Sequence, residues 1–189
     1  MRHFRTDAVP EELVDRALRL AVLAPSVGYS QPWRWVRVVD AARRAAVIAS
    51  HEAANAHALT EAHAERGEEY AALKLSGLRE APVHLAVFCE RAPATGAGLG
   101  RQTMPQTLAY SVVMAVYGFW LAARALGLGV GWISILDPDE VTRVLDVPAS
   151  WELIAYLAVG YPAFESTVPE LAARGWEHVD PEGAQQIRR

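Results

Sequence analysis

The loop over residues 24–33 concentrates side chains that could bind a ligand. It contains two prolines and one glycine, and Ser26, Ser30 and Gln31 supply hydrogen-bond donors and acceptors. Gly28 lets a backbone or a ligand approach closely. A helical pattern precedes the loop and a strand pattern follows it, which is typical of a binding loop on a rigid scaffold. These residues alone also fit an ordinary polar connection between a helix and a strand.

A second candidate loop, residues 91–103, follows an apolar strand pattern and carries Gly96, Gly98 and Gly100. A strand, a glycine-rich loop and a helix in that order could bind a dinucleotide. The first glycine, however, comes six residues after Glu90, and the spacing is G-x-G-x-G rather than the dinucleotide fingerprint. We therefore favour a mobile lid or a plain surface loop over a phosphate cradle.

Three histidines and one cysteine are the remaining candidates for metal or nucleophilic chemistry. His51, His57 and His63 recur every six residues, a spacing that turns each about 240° around a helix from the one before. Metal ligands on one helix are three or four residues apart, so we expect no metal site. Cys89 lies in an apolar strand pattern and cannot form an internal disulfide, which predicts a buried, unreactive thiol.

The composition predicts a single globular domain over residues 1–189, with residues 163–189 as an extended polar arm. Of 189 residues, 52% are hydrophobic and 21% charged, and the net charge of -4 excludes a basic footprint for nucleic acid. The apolar run 112–123 is shorter than the roughly 20 residues that span a bilayer. The first seven residues lack the apolar core of a signal peptide. We expect a cytoplasmic protein with neither a nucleic-acid nor a membrane partner.

Hydrophobic periodicity predicts the elements that position the two loops. Helices are expected over residues 11–23, within 41–81, over 105–126 and from a capping box at 137 to about 146. Strands are expected over residues 34–39, 83–89, 127–135 and 151–159. Because strands and helices interleave, the fold class is α+β. The helix over 105–126 is apolar around nearly its whole circumference, so we expect part of it to pack against a second copy of the chain.

The first loop resembles the flavin-binding loop of the FMN-dependent nitroreductase-like family, in Ala24-Pro25-Ser26 followed by Ser30-Gln31-Pro32-Trp33. Residues 75–83, 100–105 and 131–138 further resemble the subgroup of 5,6-dimethylbenzimidazole synthases, and the likeness runs from about Phe4 to Trp176. The resemblance implies an α+β fold with a mixed sheet flanked by helices. It also implies an intertwined homodimer with two FMN sites at the subunit interface.

The subgroup resemblance implies an oxidoreductase reaction in which reduced FMN is the substrate and O2 the co-substrate. The isoalloxazine ring is fragmented, which gives 5,6-dimethylbenzimidazole, the lower ligand of cobalamin, and erythrose 4-phosphate. A separate flavin reductase would supply the reduced FMN.

The resemblance also assigns residues to the phosphate and ribityl end of FMN. Arg2 and Arg5 would bind the phosphate, since a guanidinium makes bidentate, charge-assisted bonds. Ser26 would join them or bind the ribityl chain, and Ser30 and Gln31 would bond the ribityl chain or the ring edge.

Nearer the flavin ring, Gly28 would leave a space for O2 and Gly131 would bring its strand backbone against the isoalloxazine. Ser134 would handle a proton beside the ring; from the residues alone it equally fits a strand-end serine that faces a backbone group. Arg101 and Met104 lie in the subgroup's lid motif, so the second loop would exclude water from the flavin.

Members of the subgroup carry Arg-Arg-Asp-Val-Arg just before an Arg-Phe-Arg step, and this sequence starts within that motif at Met1. Either the remainder of the motif, with the aspartate implicated in fragmentation, lies upstream of Met1, or this protein binds FMN with a reduced phosphate site. Asp7, the nearest acidic residue, is out of register. Without that aspartate, two alternatives stay open: an NAD(P)H-dependent FMN nitroreductase or quinone reductase, and a non-catalytic flavin-binding protein.

Overall fold

The computed structural model describes residues 1–62, 66–73, 75–181, 183–184 and 186–188. The helices in these ranges are α1 (Glu11–Ala21), α2 (Ala41–His57), α3 (Gly67–Ala71), α4 (Thr107–Ala125), α5 (Pro138–Leu145) and α6 (Glu170–Ala173). The strands are β1 (Trp33–Arg37), β2 (Val83–Glu90), β3 (Gly129–Ile133) and β4 (Trp151–Gly160). A 3-10 turn spans Val27–Tyr29, and a π turn spans Ala58–Ala62. The interleaved α+β fold is confirmed.

The four strands form one sheet in the order β1-β2-β4-β3. All three pairings among the described strands are antiparallel, where the resemblance implied a mixed sheet. The reason is visible between β1 and β2, since the last residue of β1, Arg37, pairs with Leu85 near the start of β2. The excursion through α2 and α3 therefore returns the chain to the end of the sheet at which β1 finishes, and a parallel pair cannot form.

The sheet separates two apolar cores because alternate residues of each strand point to opposite faces. On β2, Leu85 and Val87 lie in one core with residues of α1 and α4. Ala86 and Phe88 lie in the other, with residues of α2 and α5. Cys89 is buried, as predicted, and burial raises its pKa to about 11.

Helix α4 is the longest apolar element, but one chain does not bury it completely. Val112, Val116 and Phe119 are fully buried against the sheet and α1. The opposite side exposes large apolar side chains, namely Tyr110, Val113, Met114, Tyr117 and Leu121. The whole of α4 is long and apolar enough to cross a membrane, whereas the apolar run 112–123 within it is too short. The buried face of α4 is nevertheless that of a core helix. Packing of the exposed side against a second copy stays a prediction.

Helix α5 begins at the predicted cap, with one difference. The Asp137 carboxylate accepts hydrogen bonds from the backbone amides of Asp139 at 2.9 Å and Glu140 at 3.1 Å. A capping box would return a bond from Glu140 to the Asp137 amide. That amide instead donates to the hydroxyl of Ser50 on α2 at 3.1 Å, which joins the two helices.

The N-terminal residues and the segment directly after β4 are joined beside β3, an edge strand of the sheet. Phe4 makes a bridge with Pro162, and the Arg5 amide donates to the Tyr161 carbonyl at 2.9 Å. Beyond β4 the chain continues through residues 163–169 into α6, and the Ala163 amide donates to the His3 carbonyl at 3.1 Å. These contacts place the N-terminal residues between β3 and the segment after β4.

Candidate functional site

A cavity of about 500 Å³, here called the N-terminal cavity, lies between the first residues and β3. Its floor is the backbone of β3, where a Cβ at Gly131 would collide with the Met1 carbonyl oxygen. The glycine therefore permits a close approach that no other residue would allow. The walls comprise residues 75–77, the end of α4 and residues 164–171.

The cavity is rich in paired charges. Arg2 lies 3.8 Å from the carboxylate of Glu170, and His3 Nε2 lies 2.9 Å from the same group. Arg124, at the end of α4, donates to Glu165 at 2.8 Å. Arg2 and Glu170 are each about three-quarters buried at the side chain, so their attraction is screened less than that of an exposed pair. An anionic ligand in this cavity would compete with the glutamates for the arginines.

The wall over residues 75–77 rests on the N-terminal segment. A Cβ at Gly77 would fall 2.7 Å from the Arg2 carbonyl oxygen and would enter the Phe4 ring. The next residue, Leu78, is 2% exposed, and its carbonyl oxygen lies 2.9 Å from Nε2 of the buried His84. Nδ1 of His84 lies 3.0 Å from the Tyr156 hydroxyl. Burial lowers the pKa of His84 to about 4, so the ring is neutral at pH 7.

A second cavity, here called the lid cavity, lies where the two predicted loops meet. Gly28, Gln102, Thr103 and residues 96–100 line it. Gly28 has φ +54°, and a Cβ there would fall 2.6 Å from the Leu99 carbonyl oxygen. The Thr95 hydroxyl donates to the Ser30 carbonyl at 2.6 Å. The glycine-rich loop thus lies directly on the first loop.

The first loop is held in an unusual backbone conformation by its own polar groups. Tyr29 and Gln31 have φ of +56° and +46°, a region that costs roughly 1–2 kcal/mol per non-glycine residue. The Gln31 amide donates to the Ser26 hydroxyl at 3.1 Å, and the Val27 amide donates to Ser111 of α4 at 3.0 Å. Strained backbone of this kind clusters at ligand sites.

The two cavities are far apart in one chain. Trp33, directly after the first loop, pairs with Cys89, which pairs with Glu152, whereas Gly131 pairs with Ala158. The six positions between Glu152 and Ala158 span about 20 Å, and the three strand spacings from β1 to β3 add about 14 Å across the sheet.

Helix α4 shows independently that the two cavities are far apart. The first loop bonds to Ser111 in the second turn of α4, whereas Arg124 at its other end lines the N-terminal cavity. Thirteen residues of helix span about 20 Å. The predicted site residues therefore form two groups, with Arg2 and Gly131 in one cavity and Gly28 in the other.

The chain matches the model of the Nitroreductase family over residues 1–161. It belongs to the nitroreductase family. It is 56% identical over 181 residues to 5,6-dimethylbenzimidazole synthase of Rhodospirillum rubrum, covering 96% of this chain and 86% of that protein. It is 47% identical to the synthase of the same name from Rhodobacter capsulatus, covering 94% and 86%.

Among solved structures, the fold is similar to that of an iodotyrosine deiodinase bound to FMN and 3-iodo-L-tyrosine. The TM-score is 0.74 and the sequence identity 26%, over 89% of this chain and 88% of that one.

Other residues predicted for the site of this nitroreductase-family chain lie outside the two groups or at their margins. Arg5 is exposed, donates to Asp7 at 2.8 Å and does not line the N-terminal cavity. Ser134 is exposed and follows the last residue of β3. Met104 is 48% exposed, and its carbonyl accepts from Thr107 at the start of α4. These positions leave their predicted roles as predictions.

Buried polar atoms without a partner lie in and beside the first loop. Within the described residues these are Ser30 Oγ, Trp35 Nε1 and Arg101 Nη1. A buried donor or acceptor left unpaired costs about 1–3 kcal/mol. Two of the three, in Ser30 and Arg101, belong to residues that the sequence places in the site, and both residues lie next to the lid cavity in the sequence without lining it.

No metal-binding group of three His, Cys, Asp or Glu residues occurs in the part of the chain that the structure describes. His51 is buried, and its Nδ1 lies 2.7 Å from the Ile135 carbonyl. His63 lies outside the described residues.

Several residues of the N-terminal cavity could not be identified from the sequence pattern. Glu165 and Glu170 lie in an arm without periodicity, and Arg124 ends a helix at a position typical of a solvated charge. His84 had one available signal, because a polar residue interrupts the apolar run of β2.

Proposed function

We propose that this protein is a 5,6-dimethylbenzimidazole synthase, which consumes reduced FMN and O2 and releases 5,6-dimethylbenzimidazole and erythrose 4-phosphate. The observation that carries the proposal is 56% identity over 96% of the chain to a protein of that name. This chain covers 86% of the length of each of the two synthases. The fold is that of a family in which a solved member binds FMN.

The residues of the N-terminal cavity fit the phosphate end of FMN. Arg2 offers a guanidinium on a side chain that is about three-quarters buried, which suits bidentate binding of a phosphate. Gly131 lines the cavity without a side chain, and a planar ring could lie against β3 there once the Met1 carbonyl, which fills the place of the missing Cβ, moves away. When bound, reduced FMN would supply the electrons with which O2 reacts. The chain's part is to hold the phosphate, orient the ring and keep water away from it.

The residues of the lid cavity fit the other side of the ligand. Gly28 would leave space for O2, while Ser26, Ser30 and Gln31 would bond the ribityl chain or the ring edge. The loop that carries Arg101 and Met104 would cover the site. Ser30 Oγ and Arg101 Nη1 are buried without a partner, and a ligand that reached them after a movement of the two loops would satisfy both.

A single flavin can contact both groups only if they come from two copies of the chain, since they are more than about 20 Å apart in one copy. We therefore propose a homodimer with two shared sites. The exposed side of α4 forms an apolar groove with the end of α1, lined by Leu20, Leu23, Val113, Met114 and Tyr117 among others. A second copy that covers this groove would bring its first loop beside the partner's β3. Ser134, exposed in one chain, would then be enclosed near the ring.

Two further partners follow from the proposed reaction. A separate flavin reductase would supply the reduced FMN, and O2 would enter as the co-substrate. The alternative is an FMN enzyme that cycles with NAD(P)H and a nitroaromatic or quinone acceptor, an activity that the name of the family indicates.

Incubation with chemically reduced FMN under air separates these functions. The proposal expects 5,6-dimethylbenzimidazole by mass spectrometry, with loss of FMN in proportion. Survival of FMN with steady NAD(P)H oxidation would establish the alternative, and tight binding without either reaction would indicate a flavin-binding protein. Arg2→Ala should weaken FMN binding at least about tenfold, the effect of losing a charge-assisted bond. Arg143→Ala, an exposed arginine on α5, is the matched control.

A further inference from the structure

We propose that His84 and Tyr156 act as positioning residues, holding the wall of the N-terminal cavity so that Arg2 is aligned for an anionic ligand. The proposal concerns how this chain builds the cavity. It rests on the proposed function only in taking FMN as the ligand whose phosphate Arg2 meets.

Both side chains are enclosed in the core on the α2 and α5 side of the sheet. His84 is 1% exposed and Tyr156 is 0% exposed. His84 pairs across the sheet with Ala158, and Tyr156 pairs with Ala86, so the two are diagonal neighbours on one face. A histidine in an apolar layer is tolerated when both ring nitrogens are hydrogen-bonded, and here both are.

The direction of each hydrogen bond follows from its partners. The Leu78 carbonyl can only accept, so the hydrogen of the neutral His84 ring is on Nε2. Nδ1 is then an acceptor, and the Tyr156 hydroxyl donates to it. Burial, with the nearby Arg44 charge, lowers the pKa of His84, and burial raises that of Tyr156. The chain of donors therefore runs from Tyr156 through His84 to Leu78.

The Leu78 carbonyl transmits this constraint to the cavity. Leu78 follows Gly77, which lines the cavity. Gly77 packs so closely against the Arg2 carbonyl and the Phe4 ring that no Cβ would fit between them. The Ala81 amide donates to the Gly77 carbonyl at 2.9 Å, so the turn moves as a unit. A shift of this wall would displace the backbone of Arg2, whose side chain enters the cavity.

Neither His84 nor Tyr156 lines the cavity, so a direct role in proton transfer is excluded in this arrangement. Tyr156 also pairs with Ile133, which does line it. The pair thus links the β3 side of the cavity to the wall over residues 75–77.

The test measures two properties of His84→Leu, which fills the space but cannot donate. Backbone hydrogen exchange over residues 75–81 should increase at least about tenfold, which corresponds to about 1.4 kcal/mol. FMN binding should weaken by a similar factor, while binding of riboflavin, which lacks the phosphate, should change less than about twofold. His84→Gln, which can still donate to Leu78, should restore most of both properties.

His51→Leu is the matched control, because it removes another buried histidine bond to a carbonyl, that of Ile135. It should leave exchange over residues 75–81 unchanged. If His84→Leu fails to fold, Gly77→Ala tests the same link downstream, since its Cβ would displace the Arg2 backbone.

Unchanged exchange over residues 75–81 in His84→Leu would overturn the proposal whether or not the protein consumes FMN. Equal weakening of FMN and riboflavin would also overturn it, because it would show a general loss of structure. If the wild type fails to bind FMN but the exchange result holds, the proposed function fails and the positioning of the wall stands.

Discussion

Gly28→Ala tests whether the contact between the two loops matters for activity. Gly28 has φ +54°, and an added Cβ would fall 2.6 Å from the Leu99 carbonyl and 3.1 Å from the Gly96 carbonyl. Both oxygens are backbone atoms of the glycine-rich loop, so no side-chain rotation can relieve the collision. Gly127 is the matched control, because it has φ +78° and nothing within 4 Å of its Cβ position.

The two substitutions share the cost of a left-handed alanine and differ in the collision. That shared cost is roughly 1–2 kcal/mol. Overpacking against fixed atoms typically adds about 1–3 kcal/mol, unless the neighbouring loop moves away. For a chain of this size each 1 kcal/mol lowers the melting temperature by about 2–4 °C. We therefore expect Gly127→Ala to lower the stability by the backbone cost alone. Gly28→Ala should lower the stability by at least that amount and should also displace the glycine-rich loop.

Thermal unfolding, limited proteolysis of residues 91–103 and formation of 5,6-dimethylbenzimidazole are the three assays. Gly127→Ala should keep most of its activity and its wild-type proteolysis rate. Gly28→Ala should be cleaved faster in the loop and should lose most of its activity. If the two variants lose equal stability and Gly28→Ala keeps wild-type activity and loop protection, the assigned role of the contact is wrong.

Three further expectations concern stability and thiol chemistry. Burial lowers the pKa of His84 from its ordinary value of 6.5 to about 4 in the folded chain. The stability that its neutral form supports is therefore complete above pH 6.5 and is lost as the pH falls toward 4, by up to ~3 kcal/mol. Urea unfolding at pH 7.5 and 4.5 should show this loss in the wild type and a smaller one in His84→Leu, and equal losses would contradict it. Asp137→Ala should cost about 1 kcal/mol by removing the cap of α5, measured by urea unfolding; a cost no greater than that of Arg143→Ala on the same helix would contradict the cap. Burial raises the pKa of Cys89 to about 11, so a thiol reagent at pH 8 should react only after unfolding, and rapid reaction of the native protein would refute the burial.

Local chemistry predicted most elements of the fold, and the errors at their ends have physical causes. Helix α1 was expected to reach residue 23 but ends at Ala21, because the residue before Pro25 is disfavoured in helical geometry. Strand β1 was expected to reach residue 39 but ends at Arg37, and three residues later the Asp40 side chain caps α2 by accepting from the Arg43 amide at 2.8 Å.

Periodicity along α4 identified an apolar helix correctly but could not say what covers each side. Val116 and Tyr117 are adjacent and both apolar enough for a core, yet the first is fully buried and the second is 63% exposed in one chain. The difference depends on where the sheet and α1 lie, which is a property of tertiary packing rather than of local sequence.

The candidate site was the least predictable feature because it joins segments that are remote in sequence. Arg2 meets Glu170 across 168 positions, and no local pattern in the arm indicates that contact. The sequence likewise grouped Gly28 with Gly131, whereas the strand register shows that one chain holds them apart. His84 lies in a predicted buried strand, but its partners Leu78 and Tyr156 depend on the folded sheet.

The most direct test of the shared site is the activity of a mixed dimer. Arg2→Ala removes a group from the N-terminal cavity, and Gly28→Ala disrupts the lid cavity. Two differently tagged variants can be co-expressed and the mixed dimer purified through both tags. In a two-fold symmetric dimer with shared sites, one site then carries both changes and the other carries neither. We expect each pure variant to form little 5,6-dimethylbenzimidazole from reduced FMN and the mixed dimer to reach about half the wild-type rate. A mixed dimer as inactive as its parents, beside an active wild type, would contradict a site shared between two copies.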